Sequence, residues 1–399
     1  MHKSLARHYR IRMKFQLRRR WLLLLLPVLL AVVCASFSRP EYQPPTRPEL
    51  RKRVNYLARV IGEGAGPGTP LAAIGEQTPE WTLFSLSFAV YAFTHLAAQD
   101  SGFRAEAGQL TGRAIEVALS EPVRGPFEYV YRPEWPDTTR SVLYLGHLAL
   151  MLGCHRQLAP NSRYAPLHDA VAGALYRRFE REPAGCLESY RGQRWLPDNT
   201  VALAALAWHS RLTGSPYAAA ARRWTARARQ QWREPGTGLL VSQVDSAGRP
   251  TEEARGSMLG WGIWFLAQFD AELAAEQYAL FRRHASTNLG VLRVYRERPG
   301  RYTTGLGDLD SGPLILGYSI PANTFALADA VALGDARNAA RLQRLVALGR
   351  RTVETSTEMR YGVRVVDLPV SPLAEALLLW AELPPAGARV RPRPAEAGQ

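Results

Sequence analysis

The sequence predicts an all-α fold, a closed ring of six helical hairpins behind an N-terminal transmembrane or signal-anchor helix. Three observations point there. Strongly apolar helical segments recur near 79–99, 137–158, 198–213, 254–269, 312–333 and 372–383, a period of about 58 residues that marks a repeat architecture. One-sided, Arg-rich helical segments alternate with them near 47–62, 103–120, 164–181, 217–233, 271–286 and 335–354. A helix apolar all round is buried and a one-sided helix faces solvent, so the first set forms an inner ring and the second an outer one. Finally, Trp21–Phe37 runs seventeen residues without a charge behind a strongly basic stretch.

The chain divides into a basic segment over 1–20, the apolar helix over 21–37, a Pro-rich spacer over 38–48, the helical ring over 49–383 and a Pro/Arg tail over 384–399. The net charge of +15 (50 basic against 35 acidic residues) suggests nucleic acid at first sight. Eight of those charges are Lys3, Arg7, Arg10, Arg12, Lys14, Arg18, Arg19 and Arg20, which leaves 15 − 8 = +7 for the rest of the chain. The excess therefore orients a membrane segment, with the N-terminus cytoplasmic and the ring beyond the membrane, or exported if the segment is cleaved. Arg18-Arg19-Arg20-Trp21-Leu22 resembles a twin-arginine export signal. Nucleic acid is disfavoured as a partner; the membrane and a small-molecule or oligosaccharide substrate are expected instead.

Within the ring, Thr78-Pro79 and Ser371-Pro372 supply caps for the first and last inner helices, Asp137 for the second, Pro197-Asp198 for the third and Asp310-Ser311 for the fifth. The turns from inner to outer helix are tight, as at Gly214-Ser215-Pro216 and Gly334-Asp335. Loops leading into the inner helices are long (182–197, 234–252, 288–310) and carry short β-like runs at 238–244 and 290–295. Long loops thus collect on one face, where function is expected.

Twelve helices in inner–outer alternation with this loop asymmetry resemble the (α/α)6 toroid of six-hairpin glycosidases. The resemblance spans about 50–383 and implies a carbohydrate-active fold. A fainter resemblance, carried by Tyr144-Leu145-Gly146-His147-Leu148 and by Cys186 ahead of Asp198-Asn199-Thr200, is to the linalool dehydratase/isomerase family. The second cysteine of that family is absent, with Asp198 near its place.

Candidate site residues sit at the inner-helix N-termini. On the second inner helix Asp137, Arg140, Tyr144 and His147 share one face at i+3 and i+4 spacing. The loop before the third offers Cys186, Glu188, Tyr190, Arg194, Trp195, Asp198 and Asn199; the helix N-terminus is expected to favour the anion of Asp198 and so base or nucleophile work. Glu252-Glu253 and Arg255 precede the fourth inner helix, which carries Trp261 and Trp264, and Tyr302, Asp308 and Asp310 precede the fifth. Asp308 and Asp310 are spaced to face the funnel together, one kept protonated by the other's charge. Trp81 and Trp135 stand beside acids at two more helix starts, where indole rings suit sugar faces. The expected catalytic set is Asp198, Asp310, Asp308, His147 and Tyr144; Trp81, Trp135, Asp137, Arg140, Cys186, Glu188, Trp195, Asn199, Glu253, Trp261 and Tyr302 are expected to hold substrate.

No phosphate loop, nucleophile elbow, Cys-x-x-Cys or His-x-x-x-His spacing occurs, so no cofactor and no metal are expected. The leading expectation is a membrane-tethered, extracytoplasmic hydrolase, lyase or epimerase of carbohydrate using carboxylates as acid and base. The alternatives are a hydratase or dehydratase-isomerase of a terpene-like alcohol and a non-catalytic glycan-binding or envelope-assembly protein.

Overall fold

The computed structural model describes residues 41–128, 140–300, 307–308, 310–364, 368–369 and 371–385. The basic segment, the anchor helix, most of the tail, and Trp135, Asp137 and Tyr302 lie outside the described residues.

Twelve main helices alternate between two layers. The outer ones are α1 (Arg47–Glu63), α3 (Arg104–Leu119), α5 (Ala165–Arg181), α7 (Ala218–Gln231), α9 (Ala271–Ala285) and α11 (Ala336–Gly349). The inner ones are α2 (Pro79–Gln99), α4 (Val142–Leu158), α6 (Leu196–Thr213), α8 (Gly256–Leu266), α10 (Ile320–Ala332) and α12 (Pro372–Ala381). Each inner helix packs on the next, α2 on α4, α4 on α6, and so on to α12, which packs back on α2 and closes the ring. Inner helices are buried on every side, whereas α1 buries one stripe of Arg53, Val54, Tyr56, Leu57, Val60 and Ile61. Among the described residues, only α2 is long and apolar enough to cross a membrane, and most of it is enclosed within the ring.

Local chemistry fixes the helix starts. Ser141, Ser319 and Ser371 accept from the amides of Tyr144, Ala322 and Ala374 at the heads of α4, α10 and α12. The second and fifth inner helices therefore begin later than expected. Asp310-Ser311 caps no helix; it closes a turn with Asp308, whose carboxylate accepts from the Ser311 amide at 2.9 Å. Asp198 sits within the first turn of α6, not at its cap. The expected helix over 335–354 also ends early. Arg350–Glu354 (β6) pairs antiparallel with Met359–Val363 (β7), which pairs with Leu368–Pro369 (β8). The run through Thr352 and Val353 suits a strand better than a helix because β-branched side chains pack well on a pleat. In the loops, Arg194–Trp195 (β1), Gln243–Val244 (β2) and Pro250–Glu252 (β3) make one small sheet; Ser286–Asn288 (β4) and Arg293–Tyr295 (β5) make another.

The first and last hairpins are joined by a buried charge cluster. Arg53 Nη1 donates to Glu382 at 2.5 Å, and its Nε lies 3.9 Å from Glu375. All three side chains are 1% exposed. Along the ring axis Phe88, Trp261, Phe265, Phe325 and Trp380 pack together, edge to face in Phe88–Trp380 (centroids 4.8 Å) and Trp261–Phe325 (5.3 Å) and stacked in Phe265–Trp380. This aromatic plug comes from four inner helices, and two of its rings, Trp261 and Phe325, line the space toward the inner N-termini.

Candidate active site

Above the plug lies a cavity of about 260 Å³. Its polar lining is Glu80, Asp198, Asp310, Tyr190, Gln193 and Ser257; its apolar lining includes Trp81, Phe84, Trp195, Trp261 and Phe325. Glu80 and Asp198 stand in the first turns of α2 and α6, and Asp310 in the loop before α10, so the ring symmetry itself brings three carboxyls to one space.

Asp198 is 7% exposed, and burial pushes its pKa up to about 7, with the charges of Asp310 and Glu80 adding to the rise against a Ser189 hydrogen bond. Burial thus favours the protonated form of Asp198, where the helix N-terminus alone is expected to favour the anion. Asp310 is pushed up to about 6, first by burial and then by Asp308 and Glu80, against the pull of Arg255. Its side chain is 43% exposed, so water screens part of that push. Tyr190 donates to Glu80 Oε1 at 2.9 Å, and burial with Asp198 and Glu80 beside it raises its own pKa. Trp195 is held by strand pairing with Gln243 and by its indole N–H donating to Gln193 Oε1 at 3.1 Å.

Behind the cavity Arg255 organises the acids. Its Nε donates to Glu297 at 2.8 Å, its Nη2 to Asp308 at 2.6 Å, and its Nη1 lies 3.6 Å from Asp310. Glu297 also accepts from the amide and hydroxyl of Ser257. Burial works against the charge of Asp308, but the Ser311 amide and Arg255 together hold its pKa below the usual value. Asp308 is thus the ionised, engaged member of the pair and lies outside the cavity lining, while Asp310 faces in. Gly256 permits this geometry: a Cβ there would stand 2.1 Å from the Arg296 carbonyl oxygen.

Several expected residues lie elsewhere. Tyr144 points away from the axis, donating to the Ala118 carbonyl at 3.0 Å and stacking on Phe127. His147 lies in the aromatic plug among Phe84, Phe88 and Trp261, with Nδ1 3.0 Å from the Tyr91 hydroxyl; burial lowers its pKa to about 3. The helical stripe puts both on an enclosed helix but cannot tell which neighbour each meets. Asn199 binds backbone, accepting from Leu187 N and donating to the Leu187 and Trp195 carbonyls. Glu188 pairs with Arg194 at 3.2 Å, and Arg140 is exposed ahead of α4. Cys186 is enclosed, its thiol pKa driven up by burial. The residues that carry the linalool dehydratase/isomerase resemblance therefore do not meet in the cavity. Glu253 belongs to a separate groove with Arg233, Glu234 and Arg298.

Sequence reasoning places Glu80, Tyr190 and Arg255 at the inner-helix entries without assigning them a role, and misses Gln193 and Glu297 altogether. The motif Thr78-Pro79-Glu80-Trp81 signals Glu80, and Tyr190 and Arg255 stand in the right loops. Nothing in the local sequence signals Glu297.

No protein-family model matches the chain. Solved structures do resemble it in shape. A family 105 glycoside hydrolase of C. acetobutylicum ATCC 824 aligns at a TM-score of 0.53 and 11% identity, over 82% of this chain and 98% of that one. An inactive α-1,6-mannanase variant of Salegentibacter sp. HEL1_6, in complex with α-1,6-mannotetrose, aligns at 0.51 and 11%, over 84% and 98%. Cellobiose 2-epimerase of Bacillus thermoamylovorans B4167 aligns at 0.50 and 9%, over 75% and 86%. The fold they share with this chain is an (α/α)6 toroid. In this toroid the cavity opens at the N-terminal ends of the inner helices, with Asp198 and Asp310 in its wall and the aromatic plug as its floor.

Proposed function

We propose that the chain is a carbohydrate-active enzyme that uses Asp198 as general acid and Asp310 as general base or nucleophile. The observation that carries this reading is the meeting of Glu80, Asp198 and Asp310 in one tryptophan-lined cavity, with the two aspartates tuned to about 7 and about 6. At a pH between those values Asp198 keeps its proton while Asp310 is mostly ionised, the split that cleavage of a glycosidic bond requires. Asp198 then protonates the leaving oxygen while Asp310 activates water or attacks the anomeric carbon. Lysis or epimerisation would use the same pair, one carboxylate removing a carbon-bound proton and the acid returning one. Trp81, Trp195 and Trp261 offer aromatic faces to the C–H faces of sugar rings, and the Tyr190–Glu80 pair offers hydrogen bonds to hydroxyls. The glycosidase and epimerase toroids of like shape support the substrate class.

The proposal includes a membrane tether with the toroid on the extracytoplasmic side, supported by the eight basic residues ahead of Trp21–Phe37. A protease-protection assay on intact cells and spheroplasts tests it: digestion of the toroid only after the outer barrier is opened is expected, and protection in intact spheroplasts would refute it. For the chemistry, a panel of oligosaccharides analysed by mass spectrometry is expected to yield a substrate whose turnover falls by about 10²–10⁴ in Asp198→Asn. Saccharide binding without turnover would favour a non-catalytic glycan-binding protein instead.

A further inference from the structure

At the end of the toroid remote from the cavity, three donor side chains meet that no sequence motif joins. His168 and Asp169 lie near the start of outer helix α5, and His209 lies near the end of inner helix α6. One nitrogen from each histidine and a carboxylate oxygen of Asp169 all fall within 4.8 Å of one another. The two imidazoles stand with centroids 4.7 Å apart at 71°.

The two rings differ in their surroundings. His168 is 0% exposed, yet neither of its ring nitrogens has a hydrogen-bond partner. A buried polar group left so is costly and asks for a ligand. His209 is oriented from behind, with Nδ1 2.8 Å from Ser215 Oγ and Nε2 2.8 Å from Asp169 Oδ1. Without an ion Nε2–H donates to the Asp169 carboxylate; an ion would take that proton's place, with the ring proton moved to Nδ1 and donated to Ser215, as outer-shell partners do at metal sites. Arg156 donates to Asp169 at 2.6 Å, but on Oδ1, the oxygen His209 also meets, so Oδ2 takes neither bond. The side chain of Asp169 is 52% exposed, which gives an ion a path in from solvent and lets the carboxylate shift.

We propose that His168, Asp169 and His209 bind one divalent transition-metal ion, zinc by the donor set, and that the ion clips outer helix α5 to inner helix α6. Two imidazoles and one carboxylate with room for water make a four-coordinate zinc shell. Donors in such a shell lie about 3.4 Å apart at metal distances of about 2.0–2.2 Å, so the exposed Asp169 closes the remaining gap. The site is remote from the carboxylate cavity and stands independently of the carbohydrate reading.

The test is titration of the metal-free full chain with ZnCl2 by calorimetry, with Co²⁺ absorption as a second readout and thermal melts beside it. One zinc per chain, tetrahedral Co²⁺ bands and a rise in Tm with zinc are expected. Asp169→Asn, at an exposed position outside the proposed catalytic machinery, should weaken zinc binding by at least about tenfold and remove the Tm rise. His209→Gln should do the same. No heat at about 100 µM zinc, or uptake that survives unchanged in Asp169→Asn, would overturn the proposal, the latter because it assigns the zinc to other side chains. If His209→Gln fails to fold, Asp169→Asn decides alone.

Discussion

Replacing Asp198 by Asn removes a carboxylate whose charge the fold disfavours, and the stability gained follows from its pKa. The group titrates at 3.8 when unperturbed and at about 7 in the folded chain, raised first by burial and then by Asp310 and Glu80. Because the folded value is the higher one, the native state holds a proton that the unfolded chain has released between these pH values. Stability from Asp198 is therefore complete below pH 3.8 and is lost as pH rises toward 7. At ~1.4 kcal/mol for each pH unit, the full loss is about 4 kcal/mol above pH 7, with roughly 1.5–2 kcal/mol already lost at pH 5. The side chain is 7% exposed, so solvent screening takes little from this figure. Asparagine carries no charge at any of these pH values. Urea unfolding of wild type and Asp198→Asn, followed by tryptophan fluorescence at pH 4, 5, 6, 7 and 8, should give curves that nearly coincide at pH 4. They should separate upward with the variant more stable. A difference that stays flat with pH, or a variant less stable than wild type at pH 8, would refute the claim that Asp198 is held protonated.

The same pair of groups sets the pH dependence of turnover: activity should rise as Asp310 ionises near 6 and fall as Asp198 deprotonates near 7, a narrow bell checked by kcat/KM profiles. Asp198→Asn should also abolish the descending limb in any residual activity. Arg53→Ala strips Glu375 of its ion-pair partner and leaves Glu382 only Arg350, 3.9 Å away, and should cost about 3–5 kcal/mol in urea unfolding, since removing one partner of a buried pair strands the others. Gly256→Ala puts a methyl group 2.1 Å from the Arg296 carbonyl oxygen and 3.2 Å from the Ala322 Cβ, neither of which can swing aside, so only distortion gives relief. It should lower stability by about 1–3 kcal/mol and reduce activity more than that loss of folded protein explains, because Arg255 and Ser257 flank it.

The layered ring is legible because inner and outer helices solve different burial problems. A stretch such as Val142–Leu158, apolar on all sides, can only be enclosed, while Ala271–Ala285 shows one buried face. Helix starts are less legible: Asp137 and Asp310-Ser311 carry capping side chains, yet Ser141 and Ser319 hold the caps at α4 and α10. The cavity is legible as a place, since long loops and tryptophans gather at the inner N-termini. Protonation is not, because the helix N-terminus argument for Asp198 omits the desolvation that dominates it. Spacing on an inner helix cannot separate Tyr144 from His147 either, because such a helix has neighbours on every side. Glu297 reaches the site only through Arg255 and Ser257, contacts made across the fold and invisible along the chain.

The central claim is that Asp198 and Asp310 act together on a sugar in the tryptophan-lined cavity. Its most direct test is single-turnover analysis of a saccharide substrate with wild type, Asp198→Asn, Asp310→Asn and the double variant. The account predicts that each single variant loses about 10²–10⁴ in rate while still binding saccharide, and that the double variant loses little more than the worse single one. Turnover unchanged in both single variants would contradict it.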